Sequence, residues 1–119
     1  MEVMNTKNVI VEKSLEFALK IIAFSEQLEE QKKYVIAKQI LRSGTSIGAN
    51  IREAQSAESK ADFIHKLKIA DKEANETAYW LELCRHSKSY PNPNGLEEDV
   101  TVILKLLSSI IASSKRNKK

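Results

Sequence analysis

Ile36, Ile40, Ile47, Ile51 and Ala54 recur at helical spacing straight through LRSGTSIGANIREA, residues 41–54. That stretch also holds Gly44, Gly48, Ser43, Thr45, Ser46 and Asn50, which helix propensity alone reads as a loop. Periodicity is the stronger signal, because apolar side chains returning every three to four residues line one face of a helix. The spacing predicts one helix from about 33 to 56. Its small residues then mark places where another backbone comes close.

The rest of the chain keeps the same period. A first helix spans about residues 8–29 and carries two neighbouring stripes. Val11, Leu15, Ala18 and Ile22 form the stripe assigned to the core; Ile10, Phe17, Ile21, Phe24 and Leu28 lie beside it. A third helix, about 59–87, turns Phe63, Leu67, Ala70, Ala74, Ala78, Leu81 and Cys84 inward. A fourth follows NGLE, where Asn94 and Glu97 are spaced for a capping box, and buries Val100, Ile103, Leu104, Leu107 and Ile111. EEQKK and SAESK are polar interruptions; SYPNPNG is the strong turn signal, since Pro91 and Pro93 remove backbone donors. With only 3 Gly and 2 Pro the chain has few turns to spend. Four amphipathic helices joined by short connections predict an all-α, antiparallel up-and-down four-helix bundle. A single domain over 1–119 is expected, with the bundle in 7–112 and a basic tail in 113–119.

Composition narrows the function classes. At 42% hydrophobic and 29% charged, the chain reads as globular and soluble. No apolar run approaches the ~20 residues of a membrane span. MEVMNTKNVIVEKSLEF lacks the apolar centre of a secretory signal, and Cys84 is the lone cysteine, so a reducing cytoplasm is expected. The net charge of +3 resides in the tail KRNKK: without its four cations, 15 Lys and Arg face 16 Asp and Glu. A near-neutral body does not by itself point to nucleic acid.

On a helical wheel centred on Ile40, Gly44 falls near the middle of the buried face. Thr45 and Ala49 fall opposite, in line with Lys38, Arg42 and Ser56. Small residues outside suggest a second close approach, this time by another subunit. The extra apolar residues Phe17, Ile21, Phe24 and Leu28 are expected to meet that small face in an oligomer contact. Ser46, Asn50 and Glu53, with Glu73 and Glu76 on the third helix, are expected to form an inter-helix polar network, Ser and Asn bonding across the seam and Arg42 or Arg52 pairing with a glutamate. As catalytic carboxylates these residues have no nucleophile or oriented base beside them, so no enzymatic activity and no cofactor are expected.

The outward line of the third helix holds His65, Lys68, Lys72, Tyr79 and His86, and Arg42 and Arg52 are expected to extend it. Cations beside an aromatic suit phosphate contact with some base stacking; a solvated exterior gives the same pattern. A carboxylate-bridged di-metal site is the weakest alternative. It needs two Glu-x-x-His motifs, and the chain has only Asp62 with His65 and the stray pair Glu82 and His86.

The segment from Leu41 to Cys84 resembles the four-helix-bundle proteins encoded in intervening sequences of 23S ribosomal RNA genes. The matching positions are Arg42, Ser43, Ser46, Ile47, Asn50, Ile51, Glu53, Phe63, Leu67, Ala70 and Glu76; KSLEFALKII fits more loosely, and the likeness covers about 7–112. Ala54 and Gln55 depart from it, where many relatives carry glycine. The resemblance implies an all-α bundle assembled as a ring of five, with no enzymatic activity. A related branch, the accessory protein of diversity-generating retroelements, implies a basic pentamer that binds reverse transcriptase and nucleic acid. The expected partners are therefore further copies of the chain, RNA or DNA, or a protein such as a polymerase, and no membrane.

Overall fold

Residues 41–54 are helical throughout, glycines included. The computed structural model describes residues 6–116, with side chains from residue 9 onward. It contains four helices: α1 (Thr6–Glu30), α2 (Tyr34–Ala54), α3 (Lys60–His86) and α4 (Leu96–Arg116). Each packs on its chain neighbours and α4 closes back on α1, with no close backbone approach across either diagonal among the described residues. The result is the expected up-and-down bundle, 52 × 28 × 21 Å. α4 continues into the segment expected as a tail, so Lys115 and Arg116 form its last turn; residues 117–119 lie outside the described residues.

Local chemistry sets the turns. After α1, Lys32 N–H donates to Glu29 O and Lys33 N–H to Leu28 O, both at 2.9 Å. This is a Schellman motif, whose left-handed position is usually glycine and here is Lys32 at φ +64°. After α2, Gln55 stays right-handed at φ −66°; its N–H returns to Arg52 O at 3.1 Å and the Ser56 N–H to Glu53 O at 3.0 Å. The departure at Ala54 and Gln55 is thus absorbed without a left-handed residue. Ser59 caps α3, its hydroxyl accepting from Asp62 N–H at 3.0 Å. Before α4 the expected capping box does not form. Asn94 sits at φ +40° and Gly95 at φ +84°, and the Glu97 carboxylate turns away to Arg85. Lys33 ties two loops together at this end, reaching Ser89 Oγ at 3.3 Å and lying 4.8 Å from the Tyr90 ring centre.

The core corrects the assignment of α1. Phe17, Ile21, Phe24 and Leu28 are buried within the single chain, and Ile10 with them. The stripe expected inside is the one left outside: Leu15 and Ile22 are exposed, while Val11 and Ala18 are only part-covered. The true core face was disguised by Ser14 and Ser25, both buried within it. Their hydroxyls donate to Val11 O and Ala37 O, so the face stays satisfied while its apolar pattern looks broken. The inward residues of α2, α3 and α4 follow the expected stripes, with Ile36, Phe63, Ala78, Leu104 and Ile111 part-buried at the margins.

Candidate assembly and nucleic-acid faces

Two seams of α2 determine what the outside of the bundle presents. On the α1 side a Cβ placed on Gly44 would stand 2.8 Å from Ile21 Cγ2 and 2.9 Å from Cγ1. The backbone is therefore pressed against a buried, β-branched side chain. Gly48 lies over Ser14, where an added Cβ would stand 3.5 Å from its Oγ. The close approach leaves a shallow hollow of about 260 Å³ between the helices, lined by Val11, Ser14, Leu15, Ala18, Thr45, Gly48, Ala49 and Arg52.

Around that hollow the surface is apolar. Leu15 is 49% exposed, Leu19 59%, Ile22 39% and Leu41 38%. Thr45 spends its hydroxyl on Leu41 O at 2.7 Å, so its polar atom is occupied by its own helix. Thr45 and Ala49 thus lie where the outer small face was expected. Their apolar neighbours on α1 are Leu15, Leu19 and Ile22. Phe17, Ile21, Phe24 and Leu28 face the core and cannot serve the same face.

The α2–α3 seam carries the polar network, with changed membership. Arg42 donates to Glu73 Oε1 at 3.1 Å and to Glu76 Oε2, and Trp80 Nε1 donates to Glu76 Oε2 at 3.0 Å. The hydrogen bond from Arg42 holds the Glu76 carboxyl below its ordinary range against partial desolvation, Trp80 adding to the effect. Lys66 pairs with Glu53 at 3.0 Å. Ser46 and Asn50 do not cross the seam: Ser46 Oγ returns to Arg42 O and Asn50 Nδ2 to Ser46 O within α2. Besides these charged pairs, a buried bond crosses the seam, from the Thr77 hydroxyl to the Ser43 hydroxyl at 2.7 Å. Thr77 sits on the apolar face of α3, and the pairing of two small hydroxylated positions is invisible until the helices are juxtaposed.

The expected nucleic-acid residues separate into two groups. His65, Lys68, Lys72, Tyr79 and His86 are exposed along α3 as expected, with Tyr79 tilted against Trp80 at 5.5 Å between ring centres. The two arginines do not extend that line. Arg42 is held by two carboxylates, and Arg52 borders the α1–α2 hollow and a surface shared with Glu53, Glu58 and Asp62. A phosphate at either would compete with carboxylate. Among the described residues, no three His, Cys, Asp or Glu side chains gather as a metal would require. Cys84 is buried, and desolvation pushes its thiol up to about 11. No described helix is long and apolar enough to cross a membrane.

Comparison with known proteins sets these faces in a family. No curated protein matches the chain. Among solved structures, a crystal structure from Bacteroides thetaiotaomicron, described as a protein of unknown function from the S23 ribosomal protein family, is 54% identical. The alignment covers 91% of this chain and 99% of that one, with a TM-score of 0.84. The model of the 23S rRNA-intervening sequence protein family matches residues 6–109, through α1, α2, α3 and most of α4, and the chain belongs to that family.

Proposed function

We propose that this protein is a non-enzymatic homo-oligomer that binds nucleic acid, RNA foremost, on the side of the bundle facing away from its subunit contact. One observation carries the reading: the cluster of exposed aliphatic residues around the hollow and the exposed lysines of the basic line lie on different helices. Leu15, Leu19, Ile22, Leu41 and Ala49 lie on the α1–α2 side. Lys68 and Lys72 lie on α3 and make no ion pair among the described residues, although the charge of Lys72 reaches Glu76. Copies joined through α1 and α2 would turn α3 outward and repeat a weak local patch around the assembly. Repetition raises avidity without any new contact. The ring of five implied by the family resemblance is the expected count, since a contact between different faces closes into a ring when its rotation fits.

Light scattering of the unmutated protein, together with anisotropy of a labelled single-stranded RNA across a salt series, tests both halves. An oligomer whose affinity falls steeply with salt is expected. Binding of a protein partner with a flat salt response and no RNA binding would favour an interaction scaffold, for example for a reverse-transcriptase-like protein.

A further inference from the structure

Tyr79 stands on α3 with 55% of its surface exposed, yet its ring is not loose. It leans on Trp80, ring centres 5.5 Å apart and planes tilted by 54°. Trp80 is packed against the core and donates Nε1–H to Glu76 Oε2 at 3.0 Å. The same carboxylate accepts from Arg42, which also donates to Glu73. A run of contacts across the α2–α3 seam thus braces one aromatic ring that the bundle does not cover. It also occupies the carboxylate one turn before that ring, so the charge of Glu76 is met from within the protein. Helix geometry sets the ring in a row. His65, Lys72, Tyr79 and His86 recur every seven residues, and all are exposed. Seven residues bring the helix back to nearly the same face about 10 Å further on, so Lys72 and His86 flank the ring at equal distances along α3. The row is separate from the aliphatic surface around Leu15 and Ala49, which belongs to α1 and α2.

We propose that the open face of Tyr79 stacks one unpaired base of a single strand while Lys72 meets a neighbouring phosphate. This rests on the nucleic-acid reading above and narrows its ligand to strands whose bases are free, since a duplex keeps its base faces covered. Single-stranded RNA offers such bases splayed from its backbone. Stacking on an aromatic tolerates any sequence, because every base has a π-face. Bracing by Trp80 favours this use: a ring already held in place loses little freedom when a base settles on it.

The test is anisotropy of two labelled strands of equal length, an oligouridylate and its abasic counterpart, with the unmutated protein, Tyr79→Ala, Tyr79→Phe and Lys72→Gln. Tyr79→Ala should weaken binding of the oligouridylate about tenfold without changing its salt slope, because stacking releases no counterions. Its binding of the abasic strand should match that of the unmutated protein. Tyr79→Phe should restore oligouridylate binding. Lys72→Gln should weaken both strands and flatten the salt slope by about 0.7, the value for one phosphate on a single strand. Trp80 is the single tryptophan, so its emission supplies a second readout; it should change as the oligouridylate saturates the protein and not with the abasic strand. Oligouridylate binding by Tyr79→Ala as tight as by the unmutated protein overturns the platform and leaves the broader reading standing. Emission unmoved by the oligouridylate does the same, and equal losses on both strands make Tyr79 structural and overturn it too. No RNA binding by the unmutated protein overturns both readings and leaves the ring to a protein contact.

Discussion

At Gly44 and Gly48 the same residue type, four positions apart in one helix, does two different things. A methyl group on Gly44 would meet Ile21 carbons at 2.8 and 2.9 Å, whereas one on Gly48 would sit in ordinary contact at 3.5 Å. Gly44→Ala should therefore destabilise the protein by about 1–3 kcal/mol, overpacking outweighing the helix-propensity gain. Gly48→Ala should gain up to about 1 kcal/mol from propensity alone. Denaturation midpoints moving in opposite directions would verify the pair; a stabilising Gly44→Ala would show that Ile21 yields. Lys32 offers a third backbone test. At φ +64° it carries a left-handed penalty of about 1 kcal/mol, so Lys32→Gly should raise the midpoint despite removing a side chain.

At the level of elements, α2 and α3 are joined by one buried hydroxyl pair and a partly exposed set of charges. The charges impose a pH dependence whose sign follows from Glu76. Its folded pKa is lowered, by Arg42 first and Trp80 next, so its contribution is present above the unfolded carboxylate value of about 4.3 and is lost as pH falls through the folded value. Thermal melts between pH 5 and pH 3 should drop more steeply for the unmutated protein than for Glu76→Gln. The difference should stay under about 1 kcal/mol, because Arg42 and Glu76 are substantially solvated. Identical slopes would show that the pair contributes nothing measurable. The buried Ser43 and Thr77 pair carries no such pH signature, since hydroxyls do not titrate in this range.

For the molecule as a whole, the two stripes of α1 make the assembly proposal sharp. Leu15 and Phe17 are two residues apart, yet Phe17 is buried and Leu15 is half exposed. Leu15→Glu should leave the helical spectrum and monomer stability close to normal while dissociating the oligomer. Phe17→Glu should unfold the chain: loss of the ring alone costs about 3–5 kcal/mol, and a buried charge adds to it. Circular dichroism and light scattering on the two variants distinguish them. An unmutated protein that stays monomeric at micromolar concentration would remove the assembly half of the reading, and a dimer or tetramer would keep the face while rejecting the count of five.

Four helices, their order and their approximate limits were legible in the sequence, because side-chain periodicity is a local property and each stripe reports on its own backbone. The line from His65 to His86 was legible for the same reason, since residues on one helix keep their relative angles whatever they pack against. Which stripe of α1 faces inward was not. That choice depends on Gly44 opening a space for Ile21 and on Ser14 and Ser25 finding backbone acceptors, facts that exist only once helices touch. Likewise the sequence expects Arg42 or Arg52 to pair with a glutamate, and only the approach of α3 decides that Arg42 does so, with Glu73 and Glu76. The sequence by itself determined the elements and the angular order of residues on each; only the tertiary structure decided which faces are spent on the core and which remain to meet a partner.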